Sequence, residues 1–237
     1  AYLSEDGSVY FSVAKLPGYG KLAHLDRDNL RAGARVAQDE YEKESYGDFA
    51  LWKSWDANDG DVFWDSPWGK GRPGWHLECS AMAMKYLGET FDLHTGGIDN
   101  LFPHHENEIA QAEGATGKPF VNFWMHCAHL RVNGEKMSKS LGNFFTVRDL
   151  VQKGWSGREI RYVLINGHYR QPLNFTFDAL DAARASLARI DECVDALTEL
   201  AGSAKADETP PEMEKARDSF TEAINDDLNL PEAFAAP

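Results

Sequence analysis

Three stretches of this 237-residue chain carry side chains able to do chemistry together. Gly74-Trp75-His76-Leu77-Glu78-Cys79 supplies a thiol, His104-His105-Glu106-Asn107-Glu108 supplies imidazoles and carboxylates, and Lys136-Met137-Ser138-Lys139-Ser140 supplies two ammonium groups. His104 and Glu108 stand four apart, and the good helix formers after Pro103 predict a helix that turns both to one side. Cys79 can complete that face. Sulfur, imidazole nitrogen and carboxylate oxygen are all zinc donors, and three of them with one open position make the catalytic arrangement, whereas four closed ligands make the structural one. The plainer reading makes Cys79 a small buried hydrophobe, His104 a satisfied cap and Glu108 a solvated charge. A protease-type zinc helix is excluded, because His-Glu-x-x-His starting at His105 would need histidine at position 109, which is Ile.

The lysine stretch has small hydroxyls between its cations and Gly134 and Gly142 on either side, so it reads as a mobile loop suited to a triphosphate. A metal site beside a nucleotide site is the chemistry these stretches predict.

Elements must position these groups. Tyr2-Leu3 and 9–13 read as a hairpin around 5–8, followed by a short helix at 25–30 and a charged loop at 38–47. Residues 48–53 read as a strand leading into an aromatic loop, 62–68, and Gly69, Gly71, Pro73 and Gly74 then predict a tight, irregular path. That path sets Trp75 and His76 at a pocket rim before a helix bearing Cys79, with Met82 and Leu87 on its apolar face. From the residues alone Trp75 reads as core. Phe91-Asp92-Leu93-His94 reads as a parallel strand with Gly96-Gly97-Ile98-Asp99 at its carboxyl end, where ligands of doubly wound sheets bind. Gly96 and Gly97 there would let a nucleotide approach the backbone, and Asp99 would hold a ribose hydroxyl or a substrate ammonium. Residues 121–130 read as a buried strand with Cys127 packed inside, and His126 and His129 read either as supports to the metal ligands or, the preferred reading, as core. Strands alternating with helices predict an α/β fold. Helices are expected from Thr146 and over 159–166. From Phe177 the pattern becomes helical, with Leu180, Ala183, Leu187, Ile190, Val194 and Leu197 on one stripe and Met213, Ala216, Phe220 and Ile224 on the next.

Residues 71–82 (Gly-Arg-Pro-Gly-Trp-His-Leu-Glu-Cys-Ser-Ala-Met), 102–108 (Phe-Pro-His-His-Glu-Asn-Glu) and 136–145 (Lys-Met-Ser-Lys-Ser-Leu-Gly-Asn-Phe-Phe) resemble the cysteinyl-tRNA synthetases, a family of class I aminoacyl-tRNA synthetases. Residues 225–231 resemble a further segment of that family. The resemblance implies the C-terminal half of a Rossmann-like catalytic domain followed by an α-helical bundle. It assigns 1–47 to a connective insertion, 48–150 to that catalytic half, 151–176 to a linking helical region and 177–237 to the start of the bundle on the anticodon-binding side. It implies zinc on Cys79, His104 and Glu108, a cysteine pocket near Trp75, His94 and Asp99 with Trp75 as a lid on the substrate side chain, and ATP with Mg2+ near Gly96, Gly97, Asp99, Lys136 and Lys139. Lys139 is the stronger candidate for direct ATP contact. The reaction implied is activation of cysteine to cysteinyl adenylate and transfer to tRNA(Cys). The family's His-x-Gly-His signature and a further zinc cysteine from its N-terminal half do not occur here, and His94-Thr95-Gly96-Gly97 lacks the closing histidine. The sequence therefore reads as an internal piece of a longer enzyme, inactive when isolated. The rival readings are a cysteine ligase with an amino-sugar acceptor and a catalytically silent, zinc-stabilised module.

A net charge of −14 runs against a nucleic-acid partner, since phosphate binding is driven by Lys and Arg. The acidic residues concentrate at 177–227, so Arg158, Arg161 and Arg170 remain as local basic contacts for a backbone. The cysteines, Cys79, Cys127 and Cys193, are few, odd in number and widely spaced, which argues for a reducing compartment, with Cys127 and Cys193 as packing residues. No apolar run approaches a membrane span of about 18 residues and no signal peptide is visible. A monomeric, cytoplasmic protein is the expectation.

Overall fold

The computed structural model describes residues 1–25, 47–201 and 209–235; the helix expected at 25–30 and the loop at 38–47 fall almost wholly outside them. The chain divides into two compact units, Ala1–His126 and Cys127–Pro237.

In the first unit, β1 (Tyr2–Leu3), β2 (Val9–Phe11), β3 (Phe49–Ser54) and β4 (Gly71–Pro73) form an antiparallel sheet in that order. Buried Asp48 ties the hairpin to β3, accepting from the Val13 N–H at 2.9 Å and the Tyr2 hydroxyl at 3.1 Å. The glycine-rich stretch is more regular than expected. A β-carbon on Gly71 would sit 2.1 Å from the Lys53 carbonyl oxygen, and one on Gly74 1.9 Å from that of Ala50. Both glycines serve close strand approach rather than bending.

Helix α1 (Trp75–Leu87) follows directly. Its inward face carries His76, Ser80, Ala83 and Met84, whereas Met82 and Leu87, expected inward, are exposed. The rotation is set by α2 (Glu106–Thr116), where Gln111 Oε1 accepts from the buried Ser80 hydroxyl at 2.8 Å. Between the helices runs β5 (Phe91–Gly97), and after α2 comes β6 (Val121–Cys127). These two strands pair. The Phe91 N–H donates to the Phe120 carbonyl at 3.1 Å and Asn122 Nδ2 to Asp92 Oδ1 at 3.2 Å, so both run the same way, as a strand–helix–strand crossover demands. Phe120, Ala112 and Ile109 form the core beneath.

The expectation of one buried strand over 121–130 is corrected. β6 ends at Cys127, which is exposed, as is Phe123 at 70%. A sheet of two strands, all that the described residues provide, leaves one face uncovered. His129 and Cys193 are likewise exposed and not packing residues.

In the second unit, β7 (Leu130–Val132) pairs antiparallel with β8 (Glu135–Lys136) and parallel with β9 (Leu173–Phe175). Helices α3 (Val147–Gln152) and α4 (Gly157–Ile165) start at Thr146 and Ser156, each with a reciprocal capping box to Asp149 or Glu159. Val132, Leu150, Ile160, Val163, Phe175, Leu180 and Ala183 form the core. Helix α5 (Phe177–Ala201) buries Leu180, Ala183 and Leu187 of its stripe but leaves Ile190, Val194 and Leu197 exposed. The cause is length: at about 1.5 Å per residue, the nine residues of α4 cannot cover the 25 of α5. Helix α6 (Pro211–Asn225) packs on α7 (Leu230–Ala235). Between them Asp227 accepts from the Tyr169 hydroxyl at 2.6 Å and from Arg170 Nε, fastening 225–231 to the loop before β9.

Glu159 gives this unit an acid sensitivity. Bonds from Arg184 Nε at 2.5 Å and from the Ser156 N–H at 2.6 Å hold its carboxyl down at about 2, below the ordinary 4.5. A depressed folded-state value contributes stability above the unfolded value and loses it on acidification. Denaturation midpoints are therefore expected to fall between pH 4.5 and 2, and Glu159→Gln to flatten part of that slope. An unchanged slope in the variant would contradict the assignment.

Candidate metal centre

Glu108 lies at the middle of the first unit's polar interior, with a side chain 0% exposed. It occupies the first turn of α2, entered through the turn Leu101–His105, which contains a cis Phe102–Pro103 bond. Two neighbours on that turn anchor the segment. Glu106, buried, accepts from the N–H groups of Gly20 at 2.8 Å, Leu22 at 3.0 Å and Ala23 at 2.9 Å, and Asn107 accepts from the Tyr19 hydroxyl at 2.6 Å. Three backbone donors satisfy the oxygens of this buried carboxylate, which would otherwise carry the cost of unpaired polar atoms.

The spacing argument holds in three dimensions. His104 Nε2 lies 2.8 Å from Glu108 Oε1, one helical turn away. Cys79, from the facing helix α1, closes the set: one donor atom each from Cys79, His104 and Glu108 lies within 4.8 Å of the others. His76 stands one turn before Cys79 and meets His104 Nδ1 with its own Nδ1 at 2.8 Å. That contact fixes the His104 ring with Nε2 toward Cys79 and Glu108, the way a ligating imidazole is usually oriented by its other nitrogen. Trp75 forms the rim, its ring 5.1 Å from that of His104 and its surface 65% exposed.

The other side of Glu108 is equally occupied. His94 Nε2, from β5, lies 2.7 Å from Glu108 Oε2. His94 stacks on Trp124, and His105 lies tilted against both rings and places Nδ1 2.9 Å from His126 Nε2. His126 thus supports this cluster, the less favoured of its two expected roles, rather than packing in an apolar core. A β-carbon on Gly96 would fall 2.5 Å from the His105 ring, so the missing side chain of Gly96 is filled by imidazole. One on Gly97 would meet the Asp99 carboxylate at 2.3 Å, so that glycine lets Asp99 fold back while staying exposed.

Protonation follows the same geometry. Burial opposes ionisation of Glu108, but its contacts with His104 and His94 outweigh it and hold the carboxyl down at about 2. Burial pushes the His105 pKa down to about 4, and neighbouring histidines add to the effect, so its ring is neutral at physiological pH. Burial and the nearby carboxylates of Glu108 and Glu78 raise the Cys79 thiol. A metal entering here must therefore displace a proton from Cys79, and its affinity weakens in acid.

The residues fit a zinc ion. Among the described residues no aligned hydrogen-bond donor faces the buried Glu108 Oε1, although His104 Nε2 approaches to 2.8 Å. A buried carboxylate oxygen without a donor costs free energy, and a cation facing it removes that cost. His76→Ala is expected to weaken zinc binding by roughly 10–100-fold, the usual effect of losing an orienting partner. Competition against a chromogenic chelator measures this; unchanged affinity would mean that His76 does not orient the ligand.

The lysine loop belongs to the second unit. Asn143 closes it, accepting from the Ser138 N–H at 2.8 Å and donating to the Lys136 carbonyl at 3.1 Å. The Ser138 and Ser140 hydroxyls meet at 2.7 Å. Lys136 and Lys139 are exposed, and Lys139 Nζ lies 5.6 Å from the Phe144 ring centroid. The loop is thus prefolded, with its two cations toward solvent.

His76, His105 and His126 complete the centre, and their contacts were not readable in advance. The available signal was six of the chain's eight histidines falling between positions 76 and 129, in or near the three reactive stretches.

The chain resembles known proteins over its whole length. The family model described as tRNA synthetases class I (C) catalytic domain matches residues 1–185. A Cysteine--tRNA ligase of Chlamydia muridarum (strain MoPn / Nigg) is 53% identical over 241 residues, covering 100% of this chain and 50% of the relative. One from Brachyspira hyodysenteriae (strain ATCC 49526 / WA1) is 53% identical over 235 residues, covering 97% of this chain and 49% of its own length. The chain thus spans about half the length of the curated relatives it matches. Among solved structures, the ternary complex of Agrobacterium radiobacter K84 agnB2 LeuRS-tRNA-LeuAMS superposes with a TM-score of 0.57 at 18% identity, over 78% of this chain and 30% of that one, a likeness of fold alone.

Proposed function

Because the chain belongs to the family of class I (C) tRNA synthetase catalytic domains, we propose that it carries the amino-acid-selecting half of a cysteine–tRNA ligase. Such an enzyme activates cysteine with ATP and passes the acyl group to tRNA(Cys). The observation that carries this reading is the convergence of Cys79, His104 and Glu108 donor atoms within 4.8 Å of one another in a largely buried setting.

Those three residues would hold zinc, which when bound supplies a soft partner for the substrate thiolate that a serine hydroxyl cannot match. The chain's own groups do the rest. Glu106 and Asn107 hold the helix end rigid, His76 and His94 fix His104 and Glu108, and Trp75 covers the rim where the substrate side chain enters. Asp99, at the carboxyl end of β5, would take the substrate ammonium or a ribose hydroxyl. Lys136 and Lys139 would neutralise charge that builds on the phosphates as pyrophosphate leaves, with Mg2+ accompanying the nucleotide.

The test is cysteine-dependent ATP–pyrophosphate exchange by the intact protein, followed by transfer of the label to tRNA. Exchange with cysteine and charging of tRNA is the expected result. Transfer to an amino sugar in place of tRNA, or no exchange at all, would overturn the reading.

A further inference from the structure

Glu108 presents its two oxygens to two different donor sets. Oε1 faces His104 at 2.8 Å, beside Cys79, whereas Oε2 faces His94 at 2.7 Å, beside His105. The second set is as compact as the first: one donor atom each from His94, His105 and Glu108 lies within 4.8 Å of the others. We propose that this second set is a divalent-cation site in its own right, sharing Glu108 with the thiol-bearing site, and formed by His94 Nε2, one ring nitrogen of His105 and Glu108 Oε2.

Three features make this a built site rather than a chance cluster. His105 is buried at 2% exposure, backed by the bare α-carbon of Gly96 and steadied through Nδ1 by His126. Trp124 walls both imidazoles, its ring 4.7 Å from His94 and 5.0 Å from His105. The carboxylate is fully buried, and a single carboxylate spanning two ions is a common way to hold such pairs at short range. Two imidazoles and one carboxylate favour borderline ions such as Zn2+, Co2+ or Ni2+ over Mg2+. Lacking a thiolate and sharing its one anion, the second site binds more weakly than the first.

The inference rests on the Cys79 site only through the shared carboxylate, and the two are separable with Co2+, whose thiolate charge-transfer band in the near ultraviolet marks sulfur ligation alone. Titration of the metal-free intact protein is expected to reach about two equivalents of Co2+ per chain, as a carboxylate-shared pair requires. The first builds the thiolate band, and the second adds only visible ligand-field absorption. His105→Ala should lose the second equivalent and keep the band, and Cys79→Ala the reverse. Paramagnetically shifted imidazole protons growing with the second equivalent in the wild type provide a readout that needs no variant to fold. Saturation with the thiolate band alone, or no new imidazole signals, overturns the second site. Imidazole signals without any thiolate band would instead remove the Cys79 site and leave this one standing.

Discussion

Replacing Cys79 with serine is expected to strip the intact protein of zinc and of its preference for cysteine. Among the described residues the sulfur is the one soft donor in the centre, and His104 and Glu108 alone leave two hard or borderline ligands. Loss of one of three donors should weaken zinc by more than the roughly 10–100-fold typical of losing a mere orienting partner. The consequence for selection is larger. A pocket that discriminates by shape rejects a near-isostere by about 10²-fold, whereas one that bonds the distinguishing group reaches about 10⁴–10⁵. Cysteine-over-serine preference in ATP–pyrophosphate exchange should therefore fall from the second range toward the first. His104→Ala should act in the same direction. Bound zinc measured by elemental analysis beside the exchange rates decides this, and full zinc occupancy in both variants would remove the assignment.

Lys139→Ala is expected to lower the rate of adenylate formation by roughly 10²–10³-fold, the range seen when one preorganised donor to developing charge is lost. The loop's own geometry supports a specific role for the cation rather than for the fold. Asn143 closes the turn through the Ser138 N–H and the Lys136 carbonyl, contacts that survive removal of the Lys139 ammonium. The variant should therefore unfold at the same denaturant concentration as the wild type while losing turnover, with little change in cysteine affinity. A small loss of rate, or a loss matched by unfolding, would place the catalytic charge elsewhere. Arg or Lys at this position is not equivalent either, because a guanidinium presents a planar fork where an ammonium is a compact point charge.

Much of the centre was legible from spacing because helices impose it. His104 and Glu108 meet because positions four apart share a helix face, and Cys79 joins them because α1 lies against α2. The contacts of His76, His105 and His126 were not legible, since each depends on tertiary pairing of elements that sequence periodicity does not fix. The same limit explains Met82 and Leu87. Their helix was expected, but its rotation was set by a polar bond, Ser80 to Gln111, that no apolar pattern announces. Glycines misled in a second way. Gly71 and Gly74 were read as part of a tight, irregular path, yet they are the points where the backbone of β4 and of the start of α1 comes too close to β3 for a side chain. In the second unit the apolar stripe of α5 was read along its whole length, while the short α4 covers only its first half.

Zinc-edge X-ray absorption on the intact protein, with and without bound cysteine, tests the central claim most directly. Addition of cysteine should add one sulfur neighbour to zinc at about 2.3 Å, and serine should add none. An unchanged sulfur count on saturation with cysteine would contradict thiol selection by this centre.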